Sequence, residues 1–206
     1  TKIQVPSCWE QQGFGSYNYG RDYKTYGKNY RFFDEKGMYK YNFTVPASWK
    51  GKEVFIVFEG SMTDTEVKIN GKTAGEKHQG SFYRFKYNIS DKLNYGASNL
   101  FEATVSKMST DASVNNAERL ADYWVFGGIF RPVYLEAVNK EFIDYTAIDA
   151  KADGSFAMQV FTKNIQQAKS IVAEITDTKG KLISTINTTI QKGDSVATLK
   201  TKLNNV

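Results

Sequence analysis

An all-β protein, built of two antiparallel sandwiches in series, is the fold class this sequence predicts, and three observations carry the prediction. Apolar and polar residues alternate in one run after another, which is the period of a strand with one face buried. Aromatic residues make up 15% of the 206, with 13 Tyr and 14 Phe against 3 Pro, a balance that favours strands. No stretch sustains the 3.6-residue period of an amphipathic helix. An apolar content of 41% is enough for a packed core at this length.

The elements follow in order. Tyr39, Tyr41, Phe43 and Val45 alternate with Lys40, Asn42 and Thr44, a strand that Pro46 ends. After the turn "ASWKGK", the run "EVFIVFE" is apolar at nearly every position, as suits a central strand covered on both faces. Val67 and Ile69 lead into Asn70-Gly71, the pair that best tolerates the two positive φ angles of a tight hairpin turn. Tyr83, Phe85, Tyr87 and Ile89 form another alternating series, and "NLFEATVSKM" a further strand. The polar stretch "KMSTDASVNNAERLADY" lacks alternation and predicts a long loop, and long loops on sheet scaffolds often carry function. A closing strand is expected over Ile129 to Val138.

Near Asn139 the pattern resets, giving expected domains of 1–139 and 140–206. The runs "SFAMQVFT", "SIVAEITDTKG", "KLISTINTTI" and "SVATLKTKL" are richer in Thr, Ile and Val and have the spacing of an immunoglobulin-like sandwich. Such a domain needs about seven strands and roughly 100 residues, so the second is expected to be incomplete. The start at "TKIQVPS", without methionine, and the stop at "LNNV" predict a piece of a longer polypeptide.

Composition narrows the function. The net charge of +5 comes from lysines scattered among acids, with no basic cluster of the kind that binds nucleic acid. No apolar run approaches the length of a membrane span. Cys8 is the only cysteine and His78 the only histidine, which excludes an internal disulfide and two-histidine metal motifs. Cys8 reads as a packing residue and His78 as a turn residue with local hydrogen bonds. Of the carboxylates Glu53, Glu59, Asp64, Glu66, Glu102, Asp111, Glu118 and Asp122, all but Asp122 are expected to sit solvated on strand edges and turns. Asp122 stands beside Tyr123 and Trp124 where the long loop re-enters the sheet. A carboxylate there can hold sugar hydroxyls while a ring stacks on the sugar face. Phe126, Ile129 and Phe130 read as core, Gly127 and Gly128 as a bulge or positive-φ turn, and Arg131 as a residue that binds carbonyls or an internal acid.

Taken together, "VPSCWEQQGF", the pattern Y-x-F-x-VP-x-x-W-x-G-K, "V-x-ING", "HQGSF" and "GGIFRPV" resemble the N-terminal sugar-binding domain of glycoside hydrolase family 2, over about Val5 to Ala137. The resemblance implies a jelly-roll sandwich, then an immunoglobulin-like domain, then an absent TIM barrel with two catalytic glutamates. The chain would be the non-catalytic N-terminal part of a retaining, exo-acting β-glycosidase, without catalytic residues or a cofactor requirement of its own. The aspartate two residues before the tryptophan of D-x-W-x-x-x-GIFR reaches substrate hydroxyls and a monovalent cation in β-galactosidase-like members, and Asp122 holds that position. Asp122 is the one functional residue the resemblance carries over; Tyr123 and Trp124 join it as candidates because they flank it, and Asn18 is only a weak candidate, since "FGSYNYGRDYKTYG" departs from the family pattern. That departure and the glucuronidase-like "HQGSF" leave galactosides, glucuronides and mannosides open. The implied partners are a β-glycoside and the barrel of the same polypeptide, in a bacterial periplasmic or secreted setting. Two other readings remain: a stand-alone carbohydrate-binding module using Trp9, Tyr17, Tyr19 and Tyr23, or a structural sandwich without ligand.

Overall fold

A computed structural model describes residues 1–203. Its contacts divide the chain into two compact units, Thr1–Ala137 and the residues from Val138 onward. Both are all-β, as the alternation predicts.

In the first unit the strands are β1 (Asn18–Tyr19), β2 (Lys36–Thr44), β3 (Glu53–Phe58), β4 (Asp64–Ile69), β5 (Lys72–Thr73), β6 (Phe85–Asn88), β7 (Ser98–Ser106), β8 (Trp124–Val125) and β9 (Val133–Val138). They form a four-stranded sheet ordered β2-β7-β4-β5, a three-stranded sheet ordered β6-β3-β9, and a two-stranded ribbon of β1 and β8. The pairs β1·β8, β2·β7, β3·β6, β4·β5 and β4·β7 are antiparallel. Inward-facing residues follow the period of two: Phe101, Ala103 and Val105 of β7 are buried, with half-buried neighbours between them. They meet Tyr39 of β2, Val67 and Ile69 of β4 and Val54, Ile56 and Phe58 of β3 in one core. Each such aliphatic or Phe side chain contributes about 1.5–3 kcal/mol on burial. Strand β3 is central in its sheet, and both Val57 and Phe58 are wholly buried, so both of its faces are covered.

The Asn70-Gly71 turn forms with φ of 52° and 76° and joins β4 to β5. Asn70 does more than tolerate this backbone: its Oδ1 accepts from Leu100 N at 2.9 Å and its Nδ2 donates to Asn99 Oδ1 at 2.8 Å, tying the turn to β7.

Two expectations need correction. The stretch after Lys107 is not an irregular loop throughout: it holds helix α2 (Ala112–Glu118), whose first turn is capped by the Asp111 side chain accepting from Ser113 N at 2.8 Å. A helix of seven residues shows too few turns for a 3.6-residue pattern, and its polar face-to-face composition hid it. The closing strand starts at Val133 rather than Ile129. Pro132 has no N–H to give a ladder and instead accepts from Glu59 N at 3.0 Å, while Ile129 O is taken by Ser7 N at 2.9 Å. A second short helix, α1 (Asp22–Tyr26), follows β1.

The second unit contains β10 (Phe142–Ala150), β11 (Ser155–Lys163), β12 (Ser170–Thr176), β13 (Leu182–Thr189) and β14 (Val196–Lys202), in sheets ordered β10-β11-β14 and β12-β13. Ile165, Ile190 and Ala197 form its buried cluster, with Ile171 against it.

Candidate sugar site

The ribbon of β1 and β8 presents the candidate residues. Asn18 pairs with Val125 and Tyr19 with Trp124, so the N-terminal segment and the segment after α2 are zipped together. Gly20 makes the closest approach: its N donates to Tyr123 O at 2.7 Å, and a Cβ there would stand 2.2 Å from Ala121 O. Only glycine fits.

Burial alternates along Asp122 to Trp124. Asp122 and Trp124 face solvent, Trp124 at 55% exposure, while Tyr123 turns inward. The Trp124 ring lies 5.5 Å from that of Tyr19. Asp122 Oδ2 stands 3.4 Å from Arg21 Nη1, both side chains about half exposed. Asp122 and Trp124 thus offer a hydrogen-bond acceptor and a ring face on one surface, which is what a sugar with hydroxyls on its edge and C–H groups on its face requires. Asn18 is near them but otherwise engaged: its Oδ1 accepts from Phe33 N at 2.9 Å and its Nδ2 donates to Arg31 O at 3.3 Å. Its amide supports the 31–33 loop.

Beneath the ribbon lies Arg119, wholly buried although the sequence attached no role to it. Its Nη2 donates to Phe126 O, closing the segment that carries Asp122 at its apex. Burial pushes the guanidinium's pKa down, opposed by the facing Tyr123 and by Glu118 and Glu10. Burial likewise raises the Tyr123 phenol. No hydrogen bond of good geometry reaches the Tyr123 hydroxyl, so Tyr123 belongs to this internal layer rather than to the surface beside Trp124.

A second buried layer fixes the two glycines that follow. Glu10 accepts from Gly127 N at 3.1 Å through both oxygens and is paired with Lys107 at 2.6 Å, and Lys107 also meets Glu35 at 2.7 Å. Lys107 Nζ lies 5.7 Å from the Trp9 ring and donates to Ser16 O. The Trp9 ring passes directly under Gly127, where a Cβ would meet it at 2.2 Å. Trp9 is 5% exposed and is therefore core, not the surface platform expected of a binding module. Gly128 takes the positive φ, at 115°, while the constraint on Gly127 is the tryptophan.

Asp64 also departs from expectation. Its side chain is 2% exposed, not solvated. It accepts from Thr110 N at 2.9 Å and Thr110 Oγ1 at 3.0 Å and pairs with Lys77 at 3.3 Å. His78 Nε2 donates to Gly80 O at 2.9 Å and its ring stacks on Phe85, making it a packed turn residue whose pKa burial lowers. Arg131 binds carbonyls, those of Glu59 at 3.3 Å and Phe82 at 3.1 Å.

Among the described residues no group of three or more His, Cys, Asp or Glu gathers as a metal cluster. Asp122 alone, already paired with a guanidinium, does not make a cage for the monovalent cation that the resemblance implies, and the described residues gather no cluster of further carboxylates around it. A concavity of 820 Å³ lies elsewhere, between the edges of β2 and β9, lined by residues such as Tyr39, Phe43, Phe101 and Leu135 and by no carboxylate. A smaller one of 320 Å³ lies by Met108, Asn115 and Leu120. Neither includes Asp122.

The family model described as the glycosyl hydrolases family 2 sugar binding domain matches residues 1–138. The chain belongs to glycoside hydrolase family 2. Among relatives of this family, a β-galactosidase of Thermoanaerobacter pseudethanolicus is 29% identical over 184 residues, covering 86% of this chain and 24% of the relative. A β-glucuronidase of Bacteroides fragilis is 28% identical over 166 residues, covering 77% of this chain and 20% of the relative. The family 2 chain thus spans about a quarter or less of the length of these relatives. In fold it is similar to the crystal structure of Bacteroides uniformis β-glucuronidase, with a TM-score of 0.74 at 20% identity over 99% of this chain and 24% of that one. No described helix is long and apolar enough to cross a membrane.

Proposed function

We propose that this family 2 chain is the non-catalytic N-terminal part of a retaining, exo-acting β-glycosidase, and that Asp122 completes a sugar site whose catalytic groups lie in a barrel domain of the same polypeptide. The observation that carries this reading is the exposure of Asp122 and Trp124 on one surface of a segment clamped from beneath, with neither concavity around them. A carboxylate built into so constrained a backbone, yet without walls, suits a pocket formed with another domain. Its chemistry is binding: Asp122 accepts hydrogen bonds from sugar hydroxyls and Trp124 covers an apolar sugar face, which lowers the barrier only where those contacts tighten in the transition state. Any monovalent cation would draw most of its oxygen ligands from outside this chain.

The residues from Val138 onward are read as part of an immunoglobulin-like domain that precedes the barrel in the sequence, and a bacterial periplasmic or secreted setting belongs to the same reading. A β-galactosidase and a β-glucuronidase among the relatives support a β-glycoside as the substrate class, with the choice among galactosides, glucuronides and mannosides left to the kinetics below.

Kinetics on aryl β-glycosides test the proposal. The isolated chain should show no turnover above a blank. In the full-length enzyme, Asp122→Ala should lower kcat/KM about 100-fold, the loss of roughly 2.7 kcal/mol of transition-state binding, with the melting temperature unchanged. Unchanged kinetics would sink the assignment of Asp122, and turnover by the isolated chain would sink the non-catalytic reading.

A further inference from the structure

We infer that Arg21 is a positioning residue of this sugar site, acting through Asp122; the inference rests on the reading of Asp122 as a sugar contact. The two side chains come from segments 101 positions apart and meet because the backbone leaves them little choice. Gly20 is wedged among the carbonyls of Arg119, Ala121 and Tyr123 and bonded to the last at 2.7 Å. Tyr19, immediately before it, is paired with Trp124, and Tyr19 N is held by Asp22 Oδ2 at 3.2 Å. Arg21 is thus gripped on both sides, at the N-terminal boundary of α1, with its guanidinium directed at Asp122.

An exposed ion pair of this kind stabilises a fold very little, so fold stability does not account for building it so deliberately. Its effect falls on the carboxylate. A guanidinium on Oδ2 selects one orientation of the Asp122 side chain, and Oδ1 is left to accept from a hydroxyl donor. The pair also removes the bare negative charge that a lone Asp122 would present. A site used on anionic sugars such as uronides would otherwise repel its substrate, whereas neutral galactosides would be indifferent. Arg21 therefore both aligns the acceptor and widens the range of sugars the corner tolerates. Sequence inspection offers no signal for it, because "GRDY" matches none of the recognisable motifs.

A double-mutant cycle in the full-length enzyme tests this, with p-nitrophenyl β-galactoside and β-glucuronide as probes and kcat and KM measured separately. For a residue that acts through its neighbour, Arg21→Ala should lower kcat/KM about 5- to 20-fold beside an intact Asp122, but less than about 2-fold in the Asp122→Ala background. The loss should be larger on the glucuronide, and Arg21→Lys, which keeps the charge without the planar fork, should recover part of it. Melting temperatures of the Arg21 variants should match the parent. An Arg21→Ala effect below 2-fold beside an intact Asp122, or an equal effect in both backgrounds, overturns the inference while leaving the sugar site standing. If Asp122→Ala itself has no effect, the reading of the site fails, and the inference with it.

Discussion

Replacing Lys107 by methionine should destabilise the N-terminal unit by about 3–5 kcal/mol, the usual cost of breaking a buried ion pair from one side. The structure explains why a loss in that range applies. Lys107 is wholly buried, its Nζ is shared by Glu10 at 2.6 Å and Glu35 at 2.7 Å, and the Glu10 side chain is itself 2% exposed. Methionine fills nearly the same volume, so no cavity opens; what remains is a buried carboxylate whose other donor is Gly127 N. Glu35, about one-third exposed, can turn to water. At about 3–4 °C per kcal/mol for a unit of this size, the melting temperature should fall by about 10–20 °C. Thermal unfolding followed by tryptophan fluorescence is a suitable assay, since Trp9 lies 5.7 Å from Lys107 Nζ. A paired variant, Lys107→Met with Glu10→Gln, removes the orphaned charge while an amide oxygen can still accept from Gly127, and should recover at least half of the loss. For contrast, Lys40→Met breaks the ion pair with Glu102, where the lysine is 68% exposed, and should change stability by less than about 1 kcal/mol. A Lys107→Met loss no greater than that of Lys40→Met, or a paired variant less stable than the single one, would refute the reasoning.

Two further outcomes are expected. Gly127→Ala drives a methyl into the Trp9 ring, which is hemmed in on another side by Gly37, and should cost about 1–3 kcal/mol with a shift in tryptophan emission; a silent substitution would show that the ring has room to move. Acid should weaken the first unit through Asp64 and Glu35: burial would raise their pKa values, but hydrogen bonds from Ser109, Thr110 and Lys77 to Asp64, and from Lys107 to Glu35, prevail and hold both below their ordinary 3.8 and 4.5. A folded-state value below the unfolded one means stability present above the ordinary value and lost as pH falls through the folded one. Asp64→Asn should therefore be less stable than the parent at pH 7 in urea melts, with the gap narrowing towards pH 3; a gap independent of pH would contradict the assignment.

What the sequence by itself determined is local. Strand β2 was legible in the alternation from Tyr39 to Val45, the turn in Asn70-Gly71, the central position of β3 in its unbroken apolar run, and the candidate carboxylate in the aromatic company of Asp122, because each depends on neighbours a few residues away. Helix α2 escaped notice because it is short and polar and is held by one cap, and β9 begins late because Pro132 cannot join a ladder. Tertiary structure decided the rest. Trp9, an aromatic residue near the N-terminus, can stack on a ligand or line a core, and only its passage beneath Gly127 settles which. Glu10 meets Gly127 across 117 positions and Lys107 meets Ser16 across 91, so no window along the chain contains either contact. Charge at those positions reads as surface in the sequence. Folding turns it inward because a lysine between two carboxylates can be desolvated as a group, where any one of them alone would have stayed in water.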